Sequence, residues 1–155
     1  MSNEPDFWTS LVDALKTSGV SRLETIANQI QDHTAFEDTL ALRAKWLDKT
    51  NVECIMNAFK NYKGQIPVKT LSFSYNKEIG DEGSIIIAQS LPKSIVSLGL
   101  VSCGITDIGG EAIFSWIKNA TQLKMICIEN NNFSAELKKK YSDFAKRNPM
   151  ILVVT

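Results

Sequence analysis

The chain is short of most features that betray a chemistry. It holds one histidine, His33, and three cysteines, Cys54, Cys103 and Cys127, among 155 residues. An odd number of cysteines at scattered spacings makes neither a disulfide framework nor a zinc pattern, and it suits a reducing compartment. Seventeen Lys and Arg balance seventeen Asp and Glu, so no global field favours nucleic acid or an anionic membrane. No apolar run approaches the roughly 20 residues that a membrane-spanning helix requires. The opening stretch MSNEPDFWTS lacks a basic n-region and an apolar h-region, which argues against a cleaved signal peptide. These absences point to a soluble, cytoplasmic protein with neither cofactor nor metal.

What is present divides into two halves. The first reads as helices. Ser/Thr-x-x-Glu signatures at Ser21–Glu24, Thr34–Glu37 and Thr50–Glu53 match the capping box, in which hydroxyl and carboxylate satisfy orphan N–H groups at a helix start. Apolar residues follow at helical spacing: Leu23, Ile26, Ala27 and Ile30; then Phe36, Leu40, Ala44 and Leu47; then Val52, Ile55, Met56 and Phe59. An earlier helix starts near Pro5–Asp6, uses Leu11 and Leu15, and ends at Gly19. The expected organisation is a helical capping segment over 1–64 and a second unit over 65–155.

The second half repeats. Val68, Leu71 and Phe73 align with Ile95, Leu98 and Leu100, then with Leu123, Ile126 and Ile128; the offsets are 27 (71 to 98) and 28 (98 to 126). Next come Asn76, Cys103 and Asn131, and after them Ile79, Ile105 and Phe133. The pattern L-x-x-L-x-L-x-x-N/C, then an apolar residue, resembles the leucine-rich repeat of the ribonuclease-inhibitor-like class. The stretches Ile79-Gly-Asp81-Glu-Gly83 and Ile105-Thr-Asp107-Ile-Gly109 add to the likeness; Ser134-Ala-Glu136 departs from it. The resemblance implies an α/β fold: a short leucine-rich-repeat solenoid of about three and a half repeats, with parallel strands and outer helices, behind an N-terminal all-helical capping segment. One repeat cannot bury its own apolar face, so each copy becomes the packing surface for the next.

By strand alternation, residues opposite the leucines line a concave face, the usual binding surface of such repeats. They are Ser72 and Ser74, Gly99 and Val101, Met125, Cys127 and Glu129, and Ile151 and Val153, with Tyr75 and Ser102 at the upper rim. This surface is smooth, lightly charged and increasingly apolar toward the C-terminus. It suits a protein or peptide partner, with no nucleic acid and no membrane. The final strand, MILVVT, presents an apolar edge without charge or proline, a feature that proteins usually blunt; a homodimer through that edge is the alternative. By resemblance the function is recognition without catalysis. Short leucine-rich-repeat chains with unrelated helical ends also resemble effectors that intracellular bacterial pathogens deliver into host cells, which implies translocation into the host cytosol.

Catalytic candidates are weak. No pattern brings a cysteine to His33. Asp32, Glu37 and Asp38 flank helix ends, where carboxylates favour the dipole. Gly109-Gly110 lacks the Lys-Ser/Thr of a phosphate loop. The basic run Glu136 to Arg147 reads as the solvated face of an amphipathic helix.

Overall fold

Apolar side chains recurring at fixed intervals must find one another across the chain, and in the computed structural model, which describes residues 3–32 and 38–155, they do so in a single sheet. The elements run α1 (Phe7–Lys16), α2 (Ser21–Asp32), β1 (Thr39–Ala41), α3 (Lys49–Asn61), β2 (Thr70–Ser72) and α4 (Gly80–Ser90). They continue with β3 (Ser97–Gly99), α5 (Asp107–Ile117), β4 (Met125–Cys127), α6 (Ala135–Arg147) and β5 (Leu152–Val154). The strands form a five-stranded sheet in sequence order, parallel throughout. Leu40, Leu71, Leu98, Ile126 and Val153 fall in register on neighbouring strands. Leu40, Leu71, Leu98 and Ile126 are buried there, forming a spine with Leu42, Phe73, Leu100 and Ile128. The expected α/β repeat fold is therefore the observed one, with α1 and α2 ahead of the first strand.

The helices supply the other wall of the core. Ile55 and Phe59 of α3, Ile87 of α4, Ile113 and Ile117 of α5, and Leu137 and Tyr141 of α6 are all buried. Tyr141 donates its hydroxyl to the carbonyl of Gly110 at 2.7 Å, so its one polar atom is satisfied within the apolar layer. At the N-terminal flank Phe7 of α1 meets Phe59 and Tyr62 edge-on, with ring centroids 4.9 and 5.5 Å apart. That contact covers the outer side of the first repeat.

The region around residue 40 corrects the sequence reading. A helix was expected after Thr34 through Leu40, Ala44 and Leu47; Thr34, Phe36 and Glu37 lie outside the described residues. Leu40 instead sits in β1, while Ala44 and Trp46 have left-handed φ of 53° and 60°. The backbone finds its partners across the sheet: Leu42 N donates to Ser72 O at 2.8 Å and Ala44 N to Ser74 O at 2.9 Å. The cap of α3 also shifts. Asp48 accepts from Asn51 N at 2.9 Å while Asn51 Oδ1 accepts from Asp48 N at 3.1 Å, so this pair makes the box expected of Thr50 and Glu53. The sheet thus runs through the boundary expected after residue 64, and β1 with α3 forms a rung of it.

Candidate functional site

The strand residues opposite the buried spine make two rows across the sheet. Register aligns Thr39, Thr70, Ser97, Met125 and Leu152 in one row, and Ala41, Ser72, Gly99, Cys127 and Val154 in the other. Gly99 lies close beneath the serines: a Cβ there would stand 2.9 Å from Ser72 Oγ and 3.0 Å from Ser74 Oγ, so a larger residue would need those hydroxyls to turn aside. Above these rows the chain turns outward in each repeat through a residue of positive φ: Ala44 (53°), Tyr75 (66°), Ser102 (51°) and Asn130 (59°). Backbone hydrogen bonds tie the turns together, Tyr75 N to Val101 O at 2.7 Å and Ser102 N to Glu129 O at 3.1 Å. The first three turns are thus each hydrogen-bonded to the next, which fixes the rim's geometry.

The residues expected to form the face separate into three groups. Met125 (37% exposed) and Tyr75 (43%) offer apolar surface, and Ser72, Gly99, Ser102, Cys127 and Glu129 are partly covered. Ser74 and Val101 are closed off, at 5% and 8% exposure; Ser74 Oγ accepts from Val101 N at 3.1 Å, so that hydroxyl serves the fold. Ile151 and Val153 must be corrected. Val153 pairs with Ile126, and both residues pack against the core. The outward positions of β5 are Leu152, 57% exposed, and Val154. A one-residue slip turns every side chain of a strand to the other face.

Polar groups on and beside the face do structural work. Asp81 accepts from Thr106 N (2.8 Å), Thr106 Oγ1 (2.6 Å) and Gly109 N (2.9 Å), and Asp107 accepts from Ser134 N at 2.8 Å. Each aspartate thereby fastens the turn of the following repeat. Burial works to raise the Asp81 pKa, but the Thr106 and Gly109 hydrogen bonds outweigh it and hold the carboxyl below its usual range. Glu129 Oε2 is hidden from solvent with no hydrogen-bond partner. Burial, and secondarily the Glu129 charge, push the Cys127 thiol up; burial takes Cys103 to about 11 and raises Cys54. None of these thiols is primed as a thiolate. His33 lies outside the described residues. Among the described residues no group of His, Cys, Asp and Glu is arranged to hold a metal, and no helix is long and apolar enough to cross a membrane. The basic run falls on α6, where Lys139 pairs with Asp143 and Lys140 with Glu111, both at 2.7 Å.

A cavity of about 740 Å³ lies between α1, α2 and β1, its lining including Trp8, Val12, Ile26, Ile30, Leu42 and Lys45. Sequence reasoning missed Arg43, Trp46, Leu152 and Val154 as surface residues. Leu40-x-Leu42-x-x-Lys45-x-Leu47 carries the repeat pattern with lysine at the Asn/Cys landmark, and that signal would have exposed the first two.

Sheet order, register and landmark turns together define a leucine-rich-repeat fold of the α/β kind. The sequence profile of the Leucine Rich repeat family matches residues 66–85 and 92–114, the repeats built around β2 and β3. Among solved structures, "Leiomodin-1 Actin-Binding Site 2 (ABS2)" is similar, with a TM-score of 0.66, at 17% identity over 97% of this chain and 79% of that one. At that identity the likeness is one of fold. No curated protein sequence matches the chain.

Proposed function

We propose that this chain is a non-catalytic recognition module that binds a protein or peptide through its strand face. Met125 and Leu152 carry the reading: adjacent in register on that face, they are large, apolar and exposed. A preformed, hydrogen-bonded surface loses little entropy when it binds, and apolar side chains held on it are natural anchors. The balanced net charge supports a protein partner over nucleic acid or a membrane surface. Leucine-rich-repeat folds typically serve as protein-binding modules.

The test is a paired capture with the full chain and its Met125→Arg, Leu152→Arg double variant. The expected outcome is a stoichiometric partner retained by the parent and lost by the variant, with the melting temperature unchanged. Equal retention by both would overturn the reading. Actin is a sensible first probe, because the similar leiomodin-1 structure is of an actin-binding site. A role as a translocated effector rests on the resemblance drawn from the sequence, and a translocation reporter fused to the full chain would test it.

A second reading, a homodimer through the edge of β5, is favoured by the exposure of Met150 beside Leu152. Sedimentation across a hundredfold concentration range separates the two readings, since only the dimer changes mass.

A further inference from the structure

A large aromatic side chain away from the strand face is almost fully open to solvent. Trp46 is 81% exposed and holds φ of 60°, a conformation in which a bulky side chain is a genuine outlier. It stands between Lys45 and Leu47, whose N–H groups both donate to Asn76 Oδ1 at 3.0 Å. The third repeat makes the same turn: Cys103 N and Ile105 N donate to Asn131 Oδ1 at 3.0 and 3.1 Å. Between them sits Gly104, at φ 68°. There the Lys77 carbonyl oxygen would lie 2.4 Å from a Cβ. No earlier repeat backs the first turn, so a side chain fits, yet the fold gains no burial from this one. An exposed residue held in strain is a pointer to function.

The charged and aromatic groups on the same turn and its neighbours indicate what this residue would meet. Arg22 Nη1 donates to the Trp46 carbonyl and fixes the turn. The Arg43 guanidinium lies 4.4 Å from the centroid of the Tyr75 ring, and Tyr75 is itself exposed on the next turn of the rim. Lys45 Nζ donates to the neutral Gln29 Oε1 at 3.1 Å. Among the described residues, Arg22, Arg43 and Lys45 have no carboxylate within ion-pair distance. Asp48, two residues after Trp46, caps α3, and Glu78 is bridged to it through the backbone; Glu24 follows Arg22 by two residues on α2. In a chain of zero net charge, these turns carry three cations that, among the described residues, have no carboxylate within ion-pair distance, together with two exposed aromatic side chains.

We propose that the rim formed by Trp46, Arg43 and Tyr75, with Arg22 and Lys45, is a second docking point, for an acidic peptide segment that carries an apolar side chain. The rings receive the apolar group and the cations its flanking carboxylates. Three cations on a short rim fit a short peptide better than a single-stranded nucleic acid, whose backbone needs a longer basic track.

The experiment uses the full chain and a fluorescein-labelled dodecapeptide of Asp and Glu around a central Leu-Leu pair. An otherwise identical Asn/Gln peptide and a 12-nucleotide oligothymidine serve as comparisons. Anisotropy should show salt-sensitive binding of the acidic peptide alone, with a blue shift of indole emission. Trp46→Gly should weaken binding at least tenfold while its melting temperature rises, because glycine relieves the turn. Arg43→Glu with Lys45→Glu should abolish binding, and Met125→Arg with Leu152→Arg should leave it unchanged, which separates this site from the strand face. Absence of binding by the parent chain, equal binding of the neutral peptide, preference for the oligonucleotide, or a lowered melting temperature in Trp46→Gly would each overturn the proposal.

Discussion

One side chain can hold a repeat junction together when it has both donors and acceptors to give. Asn76 is buried and makes four hydrogen bonds to backbone: its oxygen accepts from Lys45 N and Leu47 N, and its amide donates to Leu42 O (2.8 Å) and Phe73 O (2.7 Å). Asn131 repeats the arrangement one junction removed, donating to Leu100 O and Ile128 O at 2.8 Å. Cys103, at the same landmark, offers a thiol that reaches Phe73 O at 3.2 Å and Val101 O at 3.5 Å. The turn preceding it compensates: Gly80 N donates to Cys103 O at 2.9 Å and Ile79 N to Asn76 O at 3.2 Å. Asn76→Ala should strand four backbone groups and destabilise the protein by about 3 kcal/mol, lowering Tm by roughly 10 °C. Cys103→Ala, losing a weak donor, should cost about 1 kcal/mol. Calorimetry of the two variants side by side checks this, and identical melting temperatures would refute the account of the landmark. The landmark itself was legible in the sequence because three copies stood in phase. Lys45, occupying it in the first repeat, was not recognisable as a member.

At the scale of elements, legibility depended on whether two periodicities could be told apart. Leu71 and Phe73, Leu98 and Leu100, and Ile126 and Ile128 alternate with small or polar neighbours, which only a strand explains. Leu40, Ala44 and Leu47 satisfy helical spacing, while Leu40, Leu42 and Leu47 satisfy the repeat, and Thr34-x-x-Glu37 tipped the reading toward helix. The offset from Leu40 to Leu71 is 31, longer than the later ones, so the strand was out of step with the period. The last strand failed differently. Ile151-Leu152-Val153-Val154 is apolar throughout and contains no alternation from which to read a phase. Only pairing with β4 sets it, and hydrogen bonds from Leu152 N to Lys124 O and from Ile128 N to Val154 O, both 2.8 Å, hold that pairing. Val153→Arg should therefore destabilise by about 2 kcal/mol, while Leu152→Arg should stay within about 0.5 kcal/mol of the parent. Urea midpoints decide it, and the reverse order would mean that the strand is rotated. The same contrast governs the candidate face, because Leu152 belongs to it and Val153 to the core.

For the molecule as a whole, a stack of repeats is held mainly by contacts between neighbours, and its ends decide whether it unfolds as one body. The first repeat would expose α3 if α1 did not lie against it. Phe7 is the centre of that contact, buried among Phe59, Tyr62 and Trp8 with all three ring pairs edge-to-face. Truncating a buried phenylalanine costs about 3–5 kcal/mol through lost contacts and the cavity left behind, so Phe7→Ala should lower Tm by roughly 10 °C. The informative part is where the loss is felt. Trp8 in α1 and Trp116 in α5 report on distant parts of the stack, and each can be isolated by changing the other two tryptophans to Phe. Because β1 hydrogen-bonds into the same sheet that β2 to β5 extend, damage at the N-terminal flank should be transmitted along the array. Both reporters should then melt together, in the parent and in Phe7→Ala alike. An earlier transition at Trp8, with Trp116 unmoved, would show instead that α1 and α2 form a unit of their own resting on an independently stable solenoid.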